Sequence, residues 1–412
     1  MPVVQVNPQE TPDQLFDEGM QIYQEGSATS LQQAMEKWQR ALQLYQSLGD
    51  SKGEGKTLLS IGGSYIDIGQ LQEALNYLYQ ALPILQEVGD MQGQVKTLFG
   101  IARIYSNIGQ PQEALNYLHQ ALPIFPELED QIWKAGTLNG IGNIYRIIGQ
   151  PQTALNYYHQ ALAILPAIEN RNQEVEAGIL MNIGNVYKDI GQPQATFNYY
   201  HQALPIFREV GDRRGEALTL MNIGNVYSDI GQPQVALNYY HQALPIFQVV
   251  GDRRTEATNL MNIGNSYGDI EQLQAALNYY HQALPMQQEG GDLRGQALTL
   301  FNLAKVKRKQ GDLPGTLNDI QAAINIIETI RSKLISKDNR TTYFATVQNY
   351  YQFYIDTLMQ LHQQNPSQGY DAQAFHISER SHARTLLELL AEANTDIRQG
   401  IDPQLHQQES SR

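Results

Sequence analysis

The side chains best suited to recognition chemistry in this sequence are amides. Asn182 and Asn185, Asn222 and Asn225, and Asn262 and Asn265 recur at one spacing, with Asn139 and Asn143 before them and Asn302 after. A carboxamide both donates and accepts, so a column of them can pair with the backbone of an extended peptide whatever its side chains. The same column would also arise from amides that bridge neighbouring helices. Met181 to Phe207 differs from Met221 to Phe247 at only four places, so duplication has copied every residue, useful or not. Arg103, Arg146 and Lys188 stand near these amides, as do the recurring Asp67, Asp189, Asp229 and Asp269. The cations would either read charge on a bound segment or pair with those carboxylates on a wet surface, for under about 1 kcal/mol each.

Other chemistries find less support. His119, His159, His201, His241 and His281 form a second column, one repeat apart. Adjacent helices pack roughly 8–10 Å apart, too far for two imidazoles to share a metal at about 2 Å each. With no cysteine there is no disulfide, no thiolate zinc site and no cysteine nucleophile. No glycine-rich phosphate loop follows a strand, and no serine stands in a recognisable nucleophile setting. No enzymatic activity, cofactor or metal is therefore expected.

The balance of 28 basic against 42 acidic residues argues against nucleic acid as a partner, since phosphate neutralisation needs a basic face. Tyrosines such as Tyr157, Tyr158, Tyr199, Tyr200, Tyr239 and Tyr240 then read as packing with a wet hydroxyl rather than as a base-stacking platform. The run Lys305, Lys307, Arg308 and Lys309 is a solvated face or a contact for an acidic partner. No apolar run approaches the roughly 20 residues of a membrane span. The opening MPVVQVNPQETPDQ has neither the basic start nor the apolar centre of a secretory signal, so no membrane partner and a cytoplasmic location are expected.

The elements that must carry the amides are legible in Gly215 to Val249. Leu220, Ile223, Gly224 and Tyr227 fall three or four residues apart, the spacing of one helical face. Gly231 ends that run as a C-terminal glycine does, and Pro233 sits where a first helical turn tolerates a missing N–H. Ala236, Leu237, Tyr240, Ala243 and Leu244 form a second apolar face. The unit is thus an antiparallel helical hairpin, and it recurs forty residues earlier and forty later.

The order L-x-x-I-G-x-x-Y…A-x-x-x-Y-x-x-A resembles the tetratricopeptide repeat (TPR). Its usual period is about 34 residues, and the period of 40 here resembles the repeats of the kinesin light chain and its bacterial relatives. That resemblance implies an all-α, right-handed superhelix, an α-solenoid of about eight hairpins. Its first helices would line a concave groove, and asparagines there would bind peptide. A further stretch, AFHISERSHARTLLELLAEANTDIRQGIDPQL, is similar to the segment that joins a TPR array to a caspase-like CHAT protease domain. The matching residues are Phe375, Glu379, Arg380, Ser381, Ala383, Arg384, Leu386 and Leu390. The cysteine of that protease domain has no counterpart, so protease activity does not carry over.

The expected organisation is a disordered lead over 1–12, a repeat array over 13–330, a helical C-terminal segment over 331–395 that caps the array, and a polar tail over 396–412. The first repeat is degenerate, with Leu15, Gly19, Ile22, Ala34, Trp38 and Ala41 in the signature places; the eighth has Lys307 where a tyrosine belongs. Pro83, Pro123, Pro205, Pro245 and Pro285 fall inside second helices, where proline costs about 3 kcal/mol, and a bend or restarted turn is expected at each. Thr342 to Leu361 and about 370 to 394 read as the two capping helices, the latter with Phe375, Leu386, Leu387, Leu389 and Leu390 on its apolar stripe. A scaffold for a protein or peptide partner is the function expected from this reading. The alternative is the regulatory half of a split or truncated CHAT-type protease, acting on a catalytic domain in trans.

Overall fold

Aspartate starts the first helix of most hairpins, and glycine ends helices in the left-handed conformation. Asp50, Asp90, Asp212, Asp252 and Asp292 each accept the backbone N–H three residues on, at 2.8–3.1 Å. This satisfies a donor that the helix leaves unpaired and places a carboxylate at the favourable end of the helix dipole. Gly231, at φ +74°, follows the first helix of its hairpin and satisfies that helix's last carbonyls from outside. The equivalent place is Glu271 in the next hairpin. It holds φ +61° with a side chain, the one non-glycine in this conformation among the described residues.

The computed structural model describes residues 10–25, 27–128, 130–165, 173–333 and 337–379. These fall into two compact units, Met1–Gly211 and Asp212–Arg412. In the first, α1 (Pro12–Tyr23) pairs with α2 (Ala28–Leu48), α3 (Ser51–Asp67) with α4 (Leu71–Glu87), and α5 (Met91–Asn107) with α6 (Pro111–Ala121). A 3-10 turn at Leu122–Ile124 leads into the short α7 (Phe125–Leu128). Then α8 (Gln131–Ile147) pairs with α9 (Pro151–Ile164), and α10 (Gln173–Asp189) with α11 (Pro193–Val210). In the second unit the hairpins are α12 (Arg213–Asp229) with α13 (Pro233–Val250), α14 (Arg253–Asp269) with α15 (Leu273–Glu289), and α16 (Leu293–Lys309) with α17 (Leu313–Lys333). Helix α18 (Lys337–Gln364) follows, then a 3-10 turn at Pro366–Gln368 and a helix from 370 to the last described residue, 379. The described residues contain no strand; the fold is an all-α solenoid of eight hairpins.

Within each unit the first helices of successive hairpins also touch one another, α3 with α5, α8 with α10, and α14 with α16. Alanines and glycines let the two helices within a hairpin approach closely. Ala154, Ala161, Ala236 and Ala243 are fully buried, and in the later hairpins a buried tyrosine ring lies over a glycine of the facing helix. Near the turn end, each hairpin from the second to the seventh stacks two tyrosines. Tyr145 on Tyr157, Tyr187 on Tyr199, Tyr227 on Tyr239 and Tyr267 on Tyr279 all have ring centroids 5.4 Å apart. In the eighth hairpin Lys307 and Asp319 take those two places and form an ion pair at 2.6 Å.

Two expectations about local structure are corrected. Pro83, Pro205, Pro245 and Pro285 lie inside uninterrupted α4, α11, α13 and α15; only Pro123 coincides with a 3-10 turn. Each of the four stands about one turn from its helix end, so little of the helix depends on the lost N–H. Phe375, expected on an apolar stripe, is 68% exposed. The cluster around Tyr351, Tyr354 and Leu358 is filled instead by Tyr370, Ala374 and Ile377, which share the opposite face. Of the expected disordered lead, 1–9 lie outside the described residues and Pro12 already belongs to α1. Arg380, Ser381, Ala383, Arg384 and Leu386 to Leu390 also lie outside them, as does the 396–412 tail.

Candidate functional site

The asparagine columns fall on the first helices, and the structure joins them to buried tyrosines. Tyr158 donates its hydroxyl to Asn143 Oδ1 at 2.7 Å, Tyr200 to Asn185 at 2.6 Å, Tyr240 to Asn225 at 2.8 Å and Tyr280 to Asn265 at 2.8 Å. Each of these tyrosines is on the second helix of the same hairpin and at most 2% exposed. The ring reaches the amide because the preceding residue on the first helix is glycine: a Cβ on Gly264 would stand 2.6 Å from Tyr280 Cε1.

A second amide, from the next hairpin, meets the same oxygen. Asn262 Nδ2 donates to Asn225 Oδ1 at 3.0 Å, and Asn302 Nδ2 to Asn265 Oδ1 at 2.8 Å. The pattern is Tyr–OH to Asn Oδ1 from within a hairpin, and Asn Nδ2 to that same Oδ1 from the following one. Asn182 Nδ2 departs from it, donating to Asn139 Oδ1 at 2.9 Å. Asn139 is three residues before Gly142, whereas Asn182, Asn222 and Asn262 are two before their glycines, so it stands out of register with the column. The columns therefore do bridge helices, the alternative that their spacing leaves open. Asn222 and the other asparagines of the columns are half-buried, and Asn302 is buried at 9% exposure.

In the Asn225–Asn262 and Asn265–Asn302 pairs the bridging uses only part of each amide. Among the described residues Asn265 Nδ2 has no acceptor and Asn302 Oδ1 no donor; the same holds for Asn225 Nδ2 and Asn262 Oδ1. Asn265 and Asn302 line a cavity of about 250 Å³ together with Tyr280, Leu298, Lys305 and Lys309. Lys305 leans over the Phe301 ring, 5.8 Å from its centroid.

The cations named with the asparagines are less available. Arg103 pairs with Asp67 at 3.3 Å and Arg146 with Asp189 at 2.8 Å, each bridging two first helices. Lys188 is half-buried near the end of α10. Of the basic run near 305, Lys307 is bound to Asp319, while Arg308 bonds Gln360 and lies over Phe353. The histidine column is exposed. His241 meets the Tyr267 hydroxyl at 3.4 Å, and partial desolvation of its ring beside that tyrosine pulls its pKa below the usual imidazole value. Among the described residues no three His, Cys, Asp or Glu side chains gather closely enough to hold a metal. No described helix is long and apolar enough to cross a membrane.

A second cavity, of about 670 Å³, lies at the start of the first unit between α1, α3 and α5. Its three lysines, Lys52, Lys56 and Lys96, stand apart from every column above. The signal for them was present, since Lys56 and Lys96 lie at the same place in consecutive repeats, six residues before Gly62 and Ala102.

The tetratricopeptide repeat family model matches residues 92–167 and 175–248. These are tetratricopeptide repeats. Solved structures with the same fold include a signal transduction ATPase with numerous domains and a tetratricopeptide repeat sensor from Pyrococcus horikoshii. It is 14% identical with a TM-score of 0.64, over 97% of this chain and 56% of that one. The apo form of the quorum sensor NprR from B. thuringiensis is 14% identical with a TM-score of 0.61, over 78% and 89%. A Rap protein complexed with Competence and Sporulation Factor is 15% identical with a TM-score of 0.55, over 90% and 99%. At these identities the likeness of the tetratricopeptide array to each is one of fold. No curated protein matches the sequence.

Proposed function

We propose that the array is a non-catalytic interaction scaffold that binds an extended peptide or partner segment along the face made by its first helices. The observation that supports this reading is the unspent half of the Asn265–Asn302 pair: a donor on Asn265 and an acceptor on Asn302, beside a cavity bordered by Leu298, Lys305 and Lys309. An extended backbone offers N–H and C=O groups in alternation, and a fixed amide donor next to a fixed acceptor answers both without reading side chains. The internal bonds hold these amides in place, so binding orders few side chains and loses less entropy. The pair Asn225 and Asn262 repeats the arrangement one hairpin earlier. In the second unit Asn222 belongs to the same proposed face; in the first unit Asn139, Asn143, Asn182 and Asn185 make a separate face of the same kind. Arg103 and Arg146 are committed to Asp67 and Asp189 and enter it only as its border. Similarity to a sensor-bearing ATPase, a quorum sensor and a factor-bound Rap protein fits a scaffold role. The CHAT-type partner in trans gains no support from the described residues.

A display selection of random peptides against the full chain tests the reading. Selected peptides should lose about tenfold in affinity on Leu298→Trp, which fills the cavity, and on Asn302→Leu, which removes the acceptor, with helicity unchanged. Selected peptides that bind both variants as tightly as wild type would overturn it.

A further inference from the structure

A cluster of phenols stands where the second hairpin meets the third. Tyr79 on α4 has its hydroxyl oxygen 2.7 Å from that of Tyr105 on α5 and 3.2 Å from that of Tyr117 on α6. The Tyr105 and Tyr117 rings are stacked, with centroids 5.6 Å apart and planes 11° from parallel, whereas Tyr79 is tilted 48° to Tyr117. Tyr79 is 40% exposed and the other two are half-buried. Burial, and then the bonds to Tyr105 and Tyr117, raise the pKa of Tyr79 well above the ordinary phenol value, so its hydroxyl keeps its proton at neutral pH. In the later hairpins histidine takes this place, at His119, His159, His201, His241 and His281. The sequence has 24 tyrosines and no cysteine. An oxidant therefore meets no thiol, the side chain that otherwise reacts readily and supplies covalent staples.

We propose that Tyr79 and Tyr105 form an oxidative cross-linking site, which a peroxide acting through a haem peroxidase converts to an o,o′-biphenol. Each phenol gives up one electron and its hydroxyl proton, and the two phenoxyl radicals pair to make one carbon–carbon bond between ring positions next to the oxygens. The hydrogen on each of those carbons then moves through solvent to the ring oxygen, which restores both aromatic rings and both hydroxyls. The peroxide takes up the two electrons and two protons and leaves as two molecules of water. The geometry favours Tyr105 as the partner. In an o,o′-biphenol the two oxygens lie side by side within hydrogen-bonding reach, as they already do here at 2.7 Å. The Tyr117 oxygen is farther from Tyr79, at 3.2 Å, and its ring lies face to face with Tyr105, which turns the edges of those two rings away from an in-plane bond. Because Tyr79 and Tyr105 belong to successive hairpins, the bond staples α4 to α5 and closes a loop of chain, which restricts the unfolded state as a disulfide does. The phenols share no residue with the amide face, and the site is independent of the function proposed for it.

The test is to treat the full chain with a haem peroxidase and one equivalent of hydrogen peroxide, and to follow biphenol fluorescence and the masses of tryptic fragments. Cleavage after Lys56, Lys96, Arg103 and Lys134 puts Tyr79 on one fragment and Tyr105 with Tyr117 on another, so joined fragments report the bond. Their mass should be two hydrogens below the sum of the parts, and the treated chain should run as a monomer on a denaturing gel. Tyr79→His, which matches the later hairpins, and Tyr105→Phe should each lower the yield of joined fragments about tenfold with unchanged helicity. Tyr117→Phe should change it less than twofold. A wild-type yield in either Tyr79→His or Tyr105→Phe, loss of the bond in Tyr117→Phe, or cross-links that form only between chains would each overturn the proposal.

Discussion

The Tyr280 hydroxyl donates to Asn265 Oδ1 at 2.8 Å, from a ring that is 2% exposed to an amide on the facing helix. The same pairing recurs wherever both residue types occur. Asn143, Asn185, Asn225 and Asn265 face Tyr158, Tyr200, Tyr240 and Tyr280, while hairpins with Gly63, Arg103 or Lys305 in the amide's place have Leu78, Leu118 or Ile320 in the tyrosine's. Where there is no buried hydroxyl, there is no asparagine. The amide is the hydroxyl's partner first, and whatever it offers a ligand is what remains.

Asn265→Ala should therefore cost about 1–3 kcal/mol in urea unfolding, because it strands a buried hydroxyl and the Nδ2 of Asn302. Tyr280→Phe made in that background should cost less than in wild type, with a coupling of about 1 kcal/mol between the two sites. Strict additivity would mean that the hydrogen bond contributes nothing.

Glycine is required where the ring crosses the helix. Gly264→Ala places a Cβ 2.6 Å from Tyr280 Cε1, and the ring is hemmed in by buried neighbours. The substitution should destabilise by about 1–3 kcal/mol, the range for overpacking a core. Gly63→Ala is the contrast, in the interior of α3 with nothing within 4 Å of the added atom. It should stabilise by about 0.5–1 kcal/mol through helix propensity. Thermal melts of the two variants that moved in the same direction would contradict this account.

These residues also mark how far the sequence alone can be read. The forty-residue period, the aspartate starts, the glycine ends and the proline at the first turn are local rules, and the helices begin and end where those rules place them. The direction of each amide is not local. It depends on which residue of the facing helix is a tyrosine and which residue of the next hairpin is an asparagine. Reading the asparagine and tyrosine positions together, repeat by repeat, carries that information; reading the asparagines as one column hides it. The lysine-lined groove was missed for a related reason, since Lys52, Lys56 and Lys96 become neighbours only when α3 and α5 stack.

The eighth hairpin exchanges one kind of pair for another. Lys307 and Asp319 occupy the places of Tyr267 and Tyr279, with side chains 20% and 8% exposed. Asp319→Ala leaves a mostly buried ammonium without its partner and should cost about 3 kcal/mol, the low end for breaking a buried pair. Lys307→Tyr combined with Asp319→Tyr rebuilds the stack of the preceding hairpin and should recover most of that loss. Urea midpoints for the single and double variants decide the matter, and a double variant no more stable than Asp319→Ala would show that the two places are not equivalent.

Alkaline pH should unfold the array through its tyrosines. Burial pushes the hydroxyls of Tyr158, Tyr240 and Tyr280 well above the ordinary value, and Tyr23, by burial and then by its bond to Asp67, is raised to about 12. A folded-state pKa above the unfolded one means that the unfolded chain releases its protons first. The stability from these groups is complete below about pH 10 and is lost as pH rises through that value toward the folded pKa. The urea midpoint should therefore hold steady to about pH 9 and then fall, with tyrosinate absorbance of the buried rings appearing together with loss of helical circular dichroism. Tyr280→Phe removes one of these protons and should make the fall shallower. Tyrosinate that forms while the helices stay intact would place the hydroxyls in water, against the bonds to asparagine.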